Sequence, residues 1–161
     1  MSMTLVRIDD RLIHGQVVEG WVPSLDIRRI IVISDEAAGD KTQVDLMELA
    51  VPDAVALDIC TVSAGVEALE RAARSAERTM ILLPGPREAL ALLEGGAAFE
   101  SVNVGGLHYA AGTLQLGKAI FLNKGDIEAL EAIAKRGVEV EGRGVPTDSP
   151  MDIIALIRSR V

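Results

Sequence analysis

The chain of 161 residues holds one cysteine, Cys60, and two histidines, His14 and His108. One thiol excludes an internal disulfide, and one thiol with two imidazoles excludes a Cys/His zinc cage, so the expectation is a reducing cytoplasm, with no metal and no cofactor. Aromatic residues are only 2%. The core must therefore be built from Val, Ile, Leu and Ala, and no row of rings is available for nucleic-acid bases to stack on. Basic residues are outnumbered, 16 Lys and Arg against 24 Asp and Glu, and the formal net charge of −8 repels nucleic-acid phosphates and anionic lipid head groups. No apolar run is long enough to cross a bilayer, and no basic, apolar leader follows Met1, which predicts a chain neither embedded nor secreted by the usual route.

What is present is a soluble globular composition, 49% hydrophobic and 25% charged. Its length suits one domain over residues 1–161 with a sizeable core. Apolar β-branched runs alternate with stretches rich in Ala, Glu and Leu, which predicts an α/β fold: an open, mostly parallel sheet with helices on both faces. Seven strands are expected, at 3–8, 29–34, 55–61, 79–84, 101–105, 119–122 and 138–141. The runs Ile30-Ile31-Val32-Ile33 and Met80-Ile81-Leu82-Leu83 are apolar at every position and should be covered on both faces. Val55 to Thr61 and Val138 to Glu141 alternate and read as half-exposed strands nearer the edges. Helices are expected at 15–22, 41–50, 63–75, 86–94, 125–136 and 149–160, the last with Ser149 as N-cap and Pro150 at the first helical position. The Gly-rich passage Gly105 to Gly117 reads as a loop.

In open parallel sheets ligands bind beyond the carboxyl ends of the strands, where neighbouring connections diverge. The segment after the first strand, Asp9-Asp10-Arg11-Leu12-Ile13-His14-Gly15-Gln16, is the richest of these ends in chemistry. A neutral imidazole is nucleophilic, titrates near neutrality and forms a phosphoramidate suited to reversible phosphoryl relay. Arg11 and the backbone N–H groups of Gly15 and Gln16 at a helix entrance are the donors for the added negative charge. Asp9 or Asp10 is placed to hold one ring nitrogen and leave the other facing the donor. His108 reads as a loop-surface residue. Leu12 and Ile13 read as exposed candidates for partner contact, while Trp21, one helical turn after Val17, reads as core before interface.

The string Arg7-Ile8-Asp9-Asp10-Arg11-Leu12-Ile13-His14-Gly15-Gln16-Val17, followed by Trp21, resembles the active-site segment of the B components of the mannose/fructose/sorbose family of sugar phosphotransferase systems. The resemblance continues through residues 29–36, Ser101-Val102-Asn103-Val104-Gly105-Gly106, 137–141 and Val145-Pro146-Thr147-Asp148. It implies a largely parallel sheet with one antiparallel strand towards an edge. It further implies phosphorylation of the δ nitrogen of His14 by a phosphorylated IIA component and transfer to a hexose-type sugar held by the membrane IIC and IID components. Arg11 matches the family's phosphate-neutralising arginine and Asp10 its adjacent acid. The implied strand order sets Gly85 beside the same crevice. The implied activity is that of a phosphotransferase acting in the cytoplasm at the face of a membrane transporter, with a homo-oligomer left open. Family members often carry basic residues after the Gly-Gly pair, where this chain reads Leu107-His108-Tyr109-Ala110-Ala111-Gly112-Thr113.

Three other readings compete. A nucleotide-binding Rossmann domain wants Gly-x-Gly-x-x-Gly after the first strand, and only Gly15 is present there. An aspartyl-phosphate receiver wants an acceptor Asp at the end of the third strand and a Lys after the fifth; Asp58 lies inside its strand and Gly105-Gly106 occupies the other place. The third is a regulatory phosphoprotein module without a transport partner.

Overall fold

The computed structural model describes residues 3–160 and shows seven strands in one sheet, ordered β3-β2-β4-β1-β5-β8-β9, parallel throughout except for β8 and β9. These are β1 (Met3–Asp9), β2 (Arg29–Ile33), β3 (Ala56–Cys60), β4 (Thr79–Leu83), β5 (Ser101–Gly106), β8 (Glu139–Gly142) and β9 (Met151–Asp152); β6 (Leu114–Leu116) and β7 (Ile120–Leu122) pair separately as an antiparallel ribbon. A π-helix (Gln16–Trp21) runs into α1 (Val22–Ser24), and the remaining helices are α2 (Asp35–Ala38), α3 (Lys41–Ala50), α4 (Val62–Arg74), α5 (Pro86–Glu94), α6 (Lys124–Lys135) and α7 (Ile153–Arg160).

Period-two alternation along the central strands divides the interior into two cores. Ile31, Ile33, Ile81 and Leu83 join one cluster with residues of α4, α5, α6 and α7. Ile30, Val32, Met80 and Leu82 join the other, with Val17, Trp21, Val22 and Met47 from the π-helix, α1 and α3. Helices thus cover both faces, and the two runs that are apolar at every position are buried on both sides. On β1 and β5 the second face changes character: Val6, Ile8, Val102 and Val104 feed the first core, while Arg7, Asp9 and Asn103 point the other way and are buried all the same. The connection leaving β1 crosses towards β2 on the second face, whereas α5 carries β4 to β5 on the first. This divergence marks the carboxyl ends of β1 and β4 as the place where such sheets bind ligands.

Several elements differ from the sequence-based expectation. The strand expected at 119–122 belongs to the separate ribbon, and its partner β6 lies inside the passage read as a loop. The seventh strand of the sheet is Met151–Asp152, inside the segment expected as helix from Ser149. Antiparallel pairing of Glu141 with Asp152 and Gly142 with Met151 draws that segment into extended backbone. Helix α7 then starts at Ile153, with the Asp152 carboxylate, not Ser149, accepting the Ala155 N–H at 3.0 Å. Helix α4 starts at Val62, one residue before the expected 63, with Thr61 as its cap. A short helix after β2, capped by Ser34, had no separate signal.

Helix α4 lies so close to the sheet that a Cβ on Gly65 would stand 2.8 Å from Leu92 Cδ2 and 2.9 Å from Ile33 Cγ2. Gly65→Ala gains about 1 kcal/mol of helix propensity and loses about 1–3 kcal/mol to overpacking, because both neighbours are fully buried. The expected outcome is a net loss of stability near 1 kcal/mol by this arithmetic, read as a lower urea midpoint at unchanged slope.

Candidate functional site

The site begins as a feature of β1. The residues Val6-Arg7-Ile8-Asp9 alternate, and the polar pair has no solvent-exposed side-chain surface. The Asp9 carboxylate accepts from Arg7 Nη2 at 3.0 Å and from the Arg11 backbone N–H at 3.1 Å, and its Oδ2 lies 2.7 Å from His14 Nε2. An ionised carboxylate only accepts. The proton of the ring therefore sits on Nε2, and the lone pair is on Nδ1. Burial pushes the Asp9 carboxyl up, but the His14 hydrogen bond, the charge of that ring when it is protonated, the Arg7 charge and the Arg11 N–H outweigh it and hold the group below the usual aspartate range.

Arg7 is the keystone of this arrangement. Its Nη1 donates to Asn103 Oδ1 at 2.6 Å and to the Arg143 carbonyl at 3.0 Å, and its Nη2 also donates to the Gly144 carbonyl at 3.0 Å. Two guanidinium groups lie over the Trp21 ring, with Arg7 Cζ 5.1 Å and Arg143 Cζ 5.0 Å from its centroid. Desolvation lowers the Arg7 pKa against the pull of Asp9, yet a guanidinium stays charged. Asn103 passes the chain of contacts to Glu141, which accepts two hydrogen bonds from Arg143 through the same carboxylate oxygen and one more through the other. Asp148 accepts the N–H groups of Gly144 and Val145. That turn aims the Gly144 carbonyl at Arg7 and at Trp21 Nε1.

Beyond Asp9 the chain reverses in a turn closed by Leu12 N–H donating to the Asp9 carbonyl at 3.0 Å, with Leu12 at φ 57°. A left-handed leucine costs about 1–2 kcal/mol. Burying its side chain gains about 1.5–3 kcal/mol, and Leu12 is only 7% exposed in the second core, so the turn is held by packing. His14 follows with its ring 15% exposed, and the π-helix begins two residues on. The wider turn of that helix lets Val17, Trp21 and Val22 all face the second core; single π turns are rare and concentrate at functional sites.

The structure brings Arg11, His14, Gly15 and Gln16 together. Arg11 is half exposed, donates through Nη2 to Gln16 Oε1 at 3.1 Å and lies 3.6 Å from Asp9 Oδ1 through Nε. Among the described residues no hydrogen bond uses the N–H of Gly15 or of Gln16. Asp9, not Asp10, holds the His14 ring. Asp10 turns to His108 instead, accepting its backbone N–H and its Nδ1–H. Gly85 caps α5 on the neighbouring strand end, level with Asp10 by the Ile8–Leu83 register. The side chain nearest to it is Glu88, whose carboxyl is pushed up chiefly by burial and further by Asp35 and Asp126. Leu12 is buried rather than exposed, Ile13 is half-buried against the second core, and Trp21 is buried in that core as its spacing predicts.

Sequence reasoning missed Arg7, Asn103, Arg143 and Gly144 as parts of the site. One signal was in reach, the glycine pair after β5. A Cβ on Gly105 would stand 2.1 Å from the Arg7 guanidinium, and one on Gly106 would stand 3.6 Å from both Arg11 Nη2 and Asp9 Oδ1. Side-chain-free backbone there marks the space that the two arginines and the aspartate fill.

Comparison with known proteins agrees over the full length of the chain. The family model described as PTS system sorbose subfamily IIB component matches residues 3–160. The "PTS system mannose-specific EIIAB component" of Escherichia coli (strain K12) is 38% identical over 157 residues, 98% of this chain and 49% of the relative, so the chain spans about half the length of that protein. The "PTS system sorbose-specific EIIB component" of Lacticaseibacillus casei is 34% identical, with 98% of this chain and 96% of the relative covered. Among solved structures, the IIBSor domain of the sorbose permease from Klebsiella pneumoniae superposes with a TM-score of 0.92 at 30% identity, covering 100% of this chain and 99% of that one.

Removing one partner of a buried ion pair strands the other. Arg7→Met should cost about 3–5 kcal/mol of stability, measured by urea unfolding, and Gly105→Ala should destabilise through the same guanidinium. The sign of the acid dependence follows from Asp9. Its folded value is depressed, so its contribution is complete above the unfolded aspartate value of about 3.9 and is lost as pH falls through the lower folded one. Asp9→Asn should therefore be less stable than the parent at neutral pH, with the gap closing below about pH 4 as urea midpoints are followed downwards.

Proposed function

This chain belongs to the sorbose subfamily of phosphotransferase-system IIB components, and from that premise and the His14 geometry we propose that it is a single-domain phosphocarrier relaying a phosphoryl group from a IIA component through His14 to a sugar. The observation that carries the reading is the 2.7 Å contact between His14 Nε2 and the buried Asp9 carboxylate. With the proton fixed on Nε2, Nδ1 is the nucleophile. It attacks the phosphorus of a phosphohistidine on the IIA component, the donor's N–P bond breaks as the His14 N–P bond forms, and the donor imidazole leaves. In the second step a sugar hydroxyl attacks phosphorus and gives up its proton to water, the N–P bond breaks, and His14 departs as a neutral ring with its proton still on Nε2.

Each half-reaction concentrates negative charge beside Nδ1. Arg11, half exposed and lightly tied to Gln16, has the freedom to swing onto phosphoryl oxygens. The unused N–H groups of Gly15 and Gln16 supply further donors. Asp10 lies beside this group as a neighbour of Arg11, and Gly85 stands at the carboxyl end of the neighbouring β4. The sugar is presented by membrane IIC and IID components, at whose cytoplasmic face the chain works; among the described residues no helix is long and apolar enough to cross a membrane.

The test is labelling by a phosphorylated IIA component. The parent should take up label that is lost in acid and kept in alkali, as a phosphoramidate requires, and peptide mapping should put it on His14. His14→Ala should take up none. Arg11→Ala should accept phosphate about tenfold to a hundredfold more slowly, the scale of one charge-assisted hydrogen bond. Label on His108 or on an aspartate would overturn the assignment.

A further inference from the structure

The chain's two histidines are fastened to consecutive acids at the end of β1. Asp9 holds His14 and Asp10 holds His108. The first pair belongs to the proposed reaction, and the second has no role in it. Asp10 Oδ2 accepts the His108 backbone N–H at 2.8 Å and its ring Nδ1–H, while the Asp10 N–H donates to the Gly106 carbonyl at 3.0 Å. The segment on the far side of this clasp is anchored in turn. Leu107 donates to the Ala119 carbonyl and accepts from the Phe121 N–H, each at 3.0 Å, and Tyr109 meets Phe121 edge-on at 5.5 Å.

Packing does not account for the His108 ring. Its side chain is 81% exposed while that of Asp10 is 18% exposed, and an exposed pair of this kind adds little to folding stability. Asp10, whose carboxylate it holds, is next to Arg11 in sequence, and both residues border one groove with Leu12 and Ile13. Released from His108, Asp10 is within one residue of the guanidinium meant for phosphate. It would compete for that cation and repel an incoming dianion.

We propose that His108 is a positioning residue for phosphoryl transfer: it keeps the Asp10 carboxylate clasped to the β5–β6 connection, away from Arg11 and from the phosphoryl group. The inference rests on the reading of His14 as the phosphoryl acceptor, and it adds no bond-making step to that reaction. The ring acts through Asp10, from the connection between β5 and β6.

The experiment compares two donors, a phosphorylated IIA component and the small molecule phosphoramidate, on the whole chain. His108→Ala, which alters only an exposed ring, should lower the limiting rate of His14 phosphorylation about tenfold with both donors, on the scale of one lost hydrogen bond to a charged group, and leave KM for the protein donor unchanged. His108→Asn, whose side-chain amide replaces the Nδ1–H, should recover most of the rate. The double variant Asp10→Ala/His108→Ala should return to the parent's rate, because it removes the carboxylate that the His108 ring restrains. A His108→Ala rate equal to the parent's, a double variant as slow as His108→Ala, or a change confined to KM for the protein donor would each overturn the proposal. A parent that takes up no label on His14 would instead sink the reading beneath it, so the two failures are told apart by the parent alone.

Discussion

The rest of the site depends on a carboxylate that has been taken out of water and kept charged. Asp9 has no exposed side-chain surface, and it is held by three hydrogen bonds, from Arg7, the Arg11 backbone and His14. Desolvating the Asp9–Arg7 pair costs several kcal/mol for each ion. Four hydrogen bonds on the Arg7 guanidinium, two of them to backbone carbonyls, offset that cost. The return is chemical: a carboxylate that stays ionised can only accept, so it fixes the His14 proton on Nε2 and the ring's orientation with it. A solvated aspartate in the same place would exchange partners with water and leave the tautomer undetermined.

This requirement explains why the second face of the sheet is divided. Over β2 and β4 it is an ordinary apolar core, closed by Val17, Trp21, Val22 and Met47. Over β1, β5 and β8 it is a polar network running from His14 through Asp9, Arg7 and Asn103 to Glu141 and Arg143. Trp21 is the join, its ring packed in the apolar core and in contact with two guanidinium groups, its Nε1 donating to the Gly144 carbonyl. Gly105 is empty so that Arg7 can cross the sheet surface. The left-handed Leu12 and the π-helix are the local distortions by which the chain leaves the end of β1, turns the imidazole outward and still returns its apolar residues to the core.

Much of the architecture was legible along the chain, because period-two and helical patterning is a local property. The runs at 30–33 and 80–83 read as doubly covered strands and are so. The string from Arg7 to Val17 pointed to the loop after β1. Local pattern failed where pairing between distant segments decided the outcome. Met151-Asp152 is extended only because β8 offers it an edge, and Leu114–Leu116 is a strand only because Ile120–Leu122 folds back on it. Leu12 looked exposed because it stands in a loop with Asp10, Arg11 and His14, and the positive φ that buries it has no signature at a leucine.

By itself the sequence determined the strand and helix alternation, the end of the sheet where chemistry gathers, and the imidazole, guanidinium and carboxylates gathered there. Tertiary structure alone decided which of two adjacent aspartates serves which histidine. Successive side chains at a strand end leave in different directions, and what each meets is supplied by segments about a hundred residues away: Asn103, His108 and the turn at Arg143-Gly144. Spacing along a chain carries no record of those encounters, since a hydrogen bond depends on distance in space and its partners here are brought together only when β5 and β8 line up beside β1.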